Sequence, residues 1–163
     1  MTRKRWAVVI ALAAVLSLVA LVWVTTEHDR RLDRHVRQTL ERYEQAFARD
    51  GARAAPAPSA PVLQVPFVPF VEKVIVHHDG RTLTAEFTGA RATGPCGADY
   101  PARAVESEHA AVIVVEERPH EGGRVCSAMG YLRQVTVRLS SPLGSRTVLE
   151  VKSGMPVPVD LAE

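Results

Sequence analysis

An uncharged run from Trp6 to Thr26 follows directly on Arg3-Lys4-Arg5. At about 1.5 Å of rise per helical residue, a run of this length reaches across a hydrocarbon core of roughly 30 Å. Leu, Val, Ala and Ile fill most of it, and Ser17 is the polar interruption before Thr25. One hydroxyl costs little there, because it can bond back to a carbonyl one turn earlier. Trp6 and Trp23 sit at the two ends, where an amphipathic indole prefers the interface. A cleaved secretory signal would be shorter and would end in small residues. This run ends in Val22-Trp23-Val24-Thr25-Thr26, and its best internal cleavage candidate, Leu18-Val19-Ala20, places Leu at the outer position. The expectation is an uncleaved signal-anchor helix over 6–26, with membrane lipid as its first partner.

The flanking charges bear on sidedness less than the opening tripeptide suggests. Arg3, Lys4 and Arg5 stand on one side; Arg30, Arg31, Arg34, Arg37 and Arg42 follow on the other. The first charges after the run are the acidic Glu27 and Asp29, whereas the basic tripeptide touches the run itself. The orientation this favours is a cytoplasmic tail, 1–5, with the rest of the chain extracytoplasmic in the cell membrane.

Arg outnumbers Lys seventeen to three and Asn is absent, a skew that a GC-rich genome imposes, so the Arg excess is not read as functional. Without Asn there is no N-glycosylation sequon. Residues 71–163 hold ten basic and twelve acidic residues, which leaves no basic field to attract nucleic acid.

Residues 27–50 predict an amphipathic helical stalk. Leu32, Val36, Leu40, Tyr43 and Phe47 recur at helical spacing, pairs such as Asp33 and Arg37 lie four apart, and Gly51 is a natural stop. The stripe fits packing on the chain's own domain, contact with the lipid surface, or a weak homodimer; it is short for a sustained coiled coil. Residues 51–69, rich in Ala and Pro, predict an extended linker.

Beyond residue 70 the hydrophobic period becomes two. Asp79-Gly80 predicts a two-residue hairpin turn of the primed type, setting Val76 opposite Leu83, Val74 opposite Ala85 and Lys73 opposite Glu86. Ala110 to Val115 suits a buried central strand, and Ala102 to Glu106 an edge strand. Alternation over 134–139 leads through Ser141-Pro142-Leu143-Gly144 to alternation over 147–152, and Val157 to Val159 adds a short strand. The fold class expected for 70–163 is mainly β, a small antiparallel β-sandwich or sheet of five to seven short strands.

Cys96 and Cys126, the two cysteines, lie in Gly-rich stretches. Neither follows the apolar run, which excludes a lipobox, and no C-x-x-C spacing points to a metal or a redox couple. A structural disulfide is the preferred reading, and on the chain-entropy model it contributes roughly 3–4 kcal/mol. It also suits an oxidising compartment.

Candidate chemistry is sparse, and no cofactor is implied. His77 and His78 are adjacent strand residues facing opposite ways, which suits exposed turn residues better than one metal. Glu106-Ser107-Glu108-His109 and Glu116-Glu117-Arg118-Pro119-His120-Glu121 are the densest titratable segments and could hold a cation where they meet; Glu106, Glu108 and His109 support a rival reading, an envelope metal-dependent hydrolase. No serine has a nucleophile-elbow context and no glycine loop cradles phosphate, so a non-enzymatic role is preferred. The loops carrying Asp99, Tyr100, His120 and Arg124 are the candidate interaction surface.

Cys96-Gly97-Ala98-Asp99-Tyr100, Val105-Glu106-Ser107, Cys126 and Pro142-Leu143-Gly144-Ser145-Arg146 form a spaced pattern over about 83–159. In this pattern the chain resembles small secreted or membrane-anchored actinobacterial proteins with two Cys and a Pro-Leu-Gly-x-Arg hairpin. The resemblance implies a disulfide-bonded extracytoplasmic β-domain and carries over no catalytic residue. The function expected is binding or scaffolding at the cell envelope, with an envelope protein as partner.

Overall fold

The computed structural model describes residues 27, 29–51, 67–120, 126 and 129–162. The expected tail and anchor over 1–26, most of the linker over 51–69, and Arg124 lie outside the described residues. Among the described residues no helix is long and apolar enough to cross a membrane. The chain divides into two compact units, Met1–Arg34 and His35–Glu163. Every described strand belongs to the second.

Helix α1 covers 29–50 and stops at Gly51, whose φ of +59° is the left-handed conformation that glycine adopts at a helix C-terminus. The strands are β1 (Val71–Val76), β2 (Thr82–Gly89), β3 (Ala98–Asp99), β4 (Ala102–Glu106), β5 (Ala110–Val115), β6 (Arg118–Pro119), β7 (Tyr131–Arg138), β8 (Thr147–Glu150) and β9 (Val159–Leu161). They make a four-stranded sheet in the order β7-β2-β1-β9, a three-stranded sheet β4-β5-β8, and a two-stranded ribbon β3-β6. The domain is mainly β, as the period-two alternation predicts, but with nine described strands against the five to seven expected; two of the nine, β3 and β6, are two residues long and too short to show a period.

The hairpin register agrees with the sequence reading: Val76 pairs with Leu83, Val74 with Ala85, and Lys73 with Glu86. Its turn does not. A primed turn needs positive φ at its first central residue, and among the described non-glycine residues only Phe67 has positive φ. Instead the loop widens, and Gly80 alone carries the positive φ, +66°. The Asp79 carboxylate holds this wider loop by accepting the N–H groups of Arg81 and Thr82 at 2.9 and 2.8 Å, and the Thr82 hydroxyl at 2.7 Å. Lys73 also reaches β9, with its Nζ 2.5 Å from Asp160.

The sheets are mixed, which corrects the antiparallel expectation: β1 and β9 run parallel, as do β5 and β8. Side-chain alternation is the same in either strand direction, so it carries no signal of polarity. The segment from Ser141 to Arg146 is likewise no hairpin, because it passes from β7 in one sheet to β8 in the other. Leu143 plugs this corner into the core, its N–H donating to Gly80 O at 2.6 Å. The Arg146 guanidinium then donates to Ser141 O and Pro142 O, each at 2.9 Å.

All six residues of β5 are buried, for two different reasons. Ala111, Ile113 and Val115 join Leu83, Phe87, Val137 and Val148 in the cluster between the two sheets. Ala110, Val112 and Val114 face the other way, and the helix side of the sheet is there. Within the second unit, Val36, Leu40, Tyr43 and Ala46 of α1 are buried. Tyr43 Oη lies 2.6 Å from Thr147 Oγ1 on β8, and His35 Nε2–H donates to Val151 O at 2.6 Å. Of the three dispositions open to the stripe, residues 35–50 take the first, as a layer on the chain's own sheet.

Candidate functional site

β2 and β7 pair so that Leu83 stands opposite Val137, Ala85 opposite Val135, Phe87 opposite Arg133 and Gly89 opposite Tyr131. Cross-strand partners share a face. The inward row of β7 is therefore apolar at one end, Val137 and Val135, and polar at the other, Arg133 and Tyr131. This break in the binary pattern marks the end of the sandwich where the disulfide lies.

The ring of Tyr100 packs edge-on to Phe87 at 4.8 Å, with the Arg133 guanidinium 5.5 Å from its centroid on another side. Its hydroxyl accepts the Ala90 N–H at 2.5 Å. Burial holds the phenol above its ordinary pKa. Gly89 is required beside it, because a Cβ there would lie 2.5 Å from the Tyr100 hydroxyl oxygen. Arg133 Nε is buried and has no hydrogen-bond partner among the described residues.

Beyond Tyr100, the short β3-β6 ribbon pairs Ala98 with Pro119 and Asp99 with Arg118. The ribbon brings His120 back over the 91–97 loop, where its N–H donates to Gly97 O at 2.8 Å. The imidazole has acceptors on both sides: Asp99 Oδ1 is 3.2 Å from Nε2, and Gly94 O is 3.2 Å from Nδ1. A neutral ring has one N–H and can satisfy one of them, so the site favours the imidazolium. The Asp99 carboxylate, and after it the Gly94 carbonyl, raise the His120 pKa. Gly97 permits this approach, since a Cβ there would meet His120 Nδ1 at 2.8 Å.

Cys96 and Cys126 form a disulfide, with Cα atoms 5.6 Å apart and a sequence separation of 30. Together with Arg91, Glu117, His120, Met129 and Tyr131 it lines a cleft of about 310 Å³. Arg91 lies 5.8 Å from the Tyr131 ring centroid, so the cleft lining combines a cation–aromatic pair with the sulfur of Cys96, Cys126 and Met129 and with Pro95 and Pro119.

Of the expected interaction residues, Asp99 and His120 meet as an ion pair at this cleft. Tyr100 turns inward against the core cluster and accepts the N–H of Ala90, which lines the cleft. Sequence reasoning noted Glu117 only within an acidic segment that could hold a cation, and did not select Arg91, Met129 or Tyr131. The signal for Tyr131 was its inward place on β7; Arg91 had none, because it reaches the cleft through loop geometry.

The residues of the rival hydrolase reading do not converge. Glu106 binds the Ser140 N–H at 2.8 Å and Arg146 Nη1 at 2.6 Å. Glu108 is exposed, 3.9 Å from His109 Nε2. His109 is engaged by Glu44 of α1, whose Oε2 accepts Nδ1–H at 2.7 Å. Among the described residues no three His, Cys, Asp or Glu side chains gather to hold a metal. His77 and His78 are exposed, with His77 Nε2 2.8 Å from Thr84 Oγ1.

Compared with known proteins, the chain matches no family model, no curated protein and no solved structure. Its functional reading therefore rests on its own residues.

Proposed function

We propose that the chain is a single-pass signal-anchor protein that presents its β-domain outside the cytoplasmic membrane as a binding or scaffolding module of the envelope. Residues 6–26 form the anchor and 1–5 the cytoplasmic tail. The observation that carries this reading is the Cys96–Cys126 bond, since structural disulfides persist in oxidising compartments. The length and apolarity of the 6–26 run support it independently.

Recognition is assigned to the cleft beside the disulfide. Its lining of Tyr131, the Met129 thioether, Arg91, Glu117 and a His120 already paired with Asp99 resembles a mixed recognition surface more than an acid–base centre. The ribbon and the disulfide fix its shape before any partner arrives, which lowers the ordering cost of binding.

Two measurements on cells test the reading. A membrane-impermeant maleimide should label no cysteine in intact cells, and two after mild reduction. Labelling without reductant would remove both the disulfide and the main argument for sidedness. A photo-cross-linking residue at Met129 should capture an envelope protein, whereas the same residue at Thr136, on the outer face of β7, should not. Equal capture from both positions, or none from Met129, would dismiss the cleft as the binding surface.

A further inference from the structure

The helix layer is separable from the sandwich in its packing. The cluster between the two sheets runs from Val71 to Val157 and contains no residue of α1. Residues 35–50 are held from outside, and two of their polar fastenings are titratable. Near the end of the helix, Glu44 gathers the turn between β4 and β5. Its Oε1 accepts the Ser107 hydroxyl at 2.5 Å and the His109 N–H at 2.9 Å, and its Oε2 accepts His109 Nδ1–H. Phe47 stacks on the His109 ring at 3.8 Å. Near the start, His35 donates to Val151 O just beyond β8.

We infer that residues 35–50 of α1 form a clasp that opens in acid while the two-sheet core stays closed. The chemistry at the two ends works in one direction. At Glu44, three donors converge on one carboxylate, and a protonated carboxyl would present an O–H where it now accepts one of them. Burial alone would raise the Glu44 pKa, but the Ser107 hydroxyl and the His109 N–H groups outweigh it and the net direction is down. The groups facing Glu44 are Ser107 and His109, with Glu108 behind the His109 ring. At His35, desolvation against the sheet lowers the pKa. Arg42 on the same helix adds to that lowering, while the Val151 carbonyl, Glu150 and the Lys152 backbone oppose it.

Both groups bind protons more readily when the helix is undocked. The His35 contribution is complete above its ordinary pKa of 6.5 and is lost as pH falls through its lower docked value. The Glu44 contribution is complete above 4.5 and is lost further into acid. Opening would leave the disulfide and the core cluster unchanged, and would uncover the apolar face of Ala110, Val112 and Val114.

Hydrogen exchange of the full chain in mild detergent, corrected for intrinsic exchange rates, tests the clasp between pH 7 and pH 3. The opening constant of α1 amides over 36–47 should rise severalfold as pH falls across this range, the direction that both groups set. Amides of β2 and β5 should keep their protection across the same range. Glu44→Gln should flatten the lower part of the profile, and His35→Gln, which keeps a donor toward Val151 O, the upper part. A pH-independent opening constant for α1 would overturn the inference, and so would loss of β5 protection together with α1. Should a variant weaken docking at every pH, the profile of the unaltered chain still decides.

Discussion

Arg146 Nη1 lies 2.6 Å from Glu106 Oε2, joining the corner after β7 to the end of β4 through a pair whose side chains are 11% and 18% exposed. The same guanidinium caps the Ser141 and Pro142 carbonyls and approaches Leu143 O at 3.3 Å. One planar, five-donor group thus satisfies a chain segment that crosses between sheets and has no ladder of its own.

Substituting that guanidinium should be costly even by another cation. Arg146→Lys keeps the charge but not the fork, and should lower unfolding free energy by about 1–3 kcal/mol, the range for uncovering partly buried acceptors. Arg146→Met, which also strands Glu106, should cost about 3–5 kcal/mol. Urea unfolding of the full chain measures both, and a lysine variant as stable as the original would refute the capping role. Burial opposes ionisation of Glu106, yet the Ser140 N–H and Arg146 bring its pKa below the ordinary value. The stability this provides is present above about pH 4.5 and is lost as pH falls through the folded value.

A buried carboxylate organises the next turn. Glu150 is 1% exposed and accepts the N–H groups of Lys152 and Ser153 at 2.9 and 2.7 Å, and the Ser153 hydroxyl at 2.8 Å. Glu150→Ala leaves two amides without acceptors and should cost about 2–4 kcal/mol. Glu150→Gln keeps one acceptor oxygen and should cost less. Chemical denaturation comparing the two checks the order, and equal losses would show that the charge, not acceptor geometry, matters at this turn.

The ion pair at the cleft predicts its own titration. Because Asp99, then the Gly94 carbonyl, raise the His120 pKa, its contribution is complete below the ordinary value of 6.5. It is lost as pH rises through the higher folded value. Asp99→Asn removes the larger cause, so the His120 ring signals in an NMR titration should shift their midpoint downward. A midpoint that does not move would mean that Asp99 and His120 are not paired in solution.

These elements were unequally legible in the sequence. The β1-β2 register was readable because alternation and the Lys73–Glu86 opposition agree on one pairing, and β5 was readable as a continuous apolar run. Strand polarity was not, since a side-chain pattern reads the same whether β8 and β9 lie parallel or antiparallel to their neighbours. Pro142 to Gly144 announced a turn but not which sheet the next strand would join. The docking of α1 depends on Glu44 meeting a loop more than sixty residues away, which no local pattern encodes. At the cleft, the inward polar pair Tyr131 and Arg133 was a visible departure from the apolar row, and the most readable sign of a site.

The disulfide supplies the last prediction, because it joins two residues of the cleft lining, Cys96 and Cys126. Its cross-link has a sequence separation of 30 and on the chain-entropy model stabilises the fold by roughly 3–4 kcal/mol. Cys96→Ser with Cys126→Ser should lower unfolding free energy by about that amount without unfolding the core, since neither cysteine belongs to the inter-sheet cluster. The effect should be uneven in space. Exchange protection should fall most for the Ala98 and His120 amides, which tie the ribbon to the 91–97 loop by bonds to Arg91 O and Gly97 O. Protection in β1, β2 and β5 should fall only by the global loss. If instead all amides lost protection equally, the disulfide would be a staple of the whole domain, and the preformed shape of the cleft would need another cause.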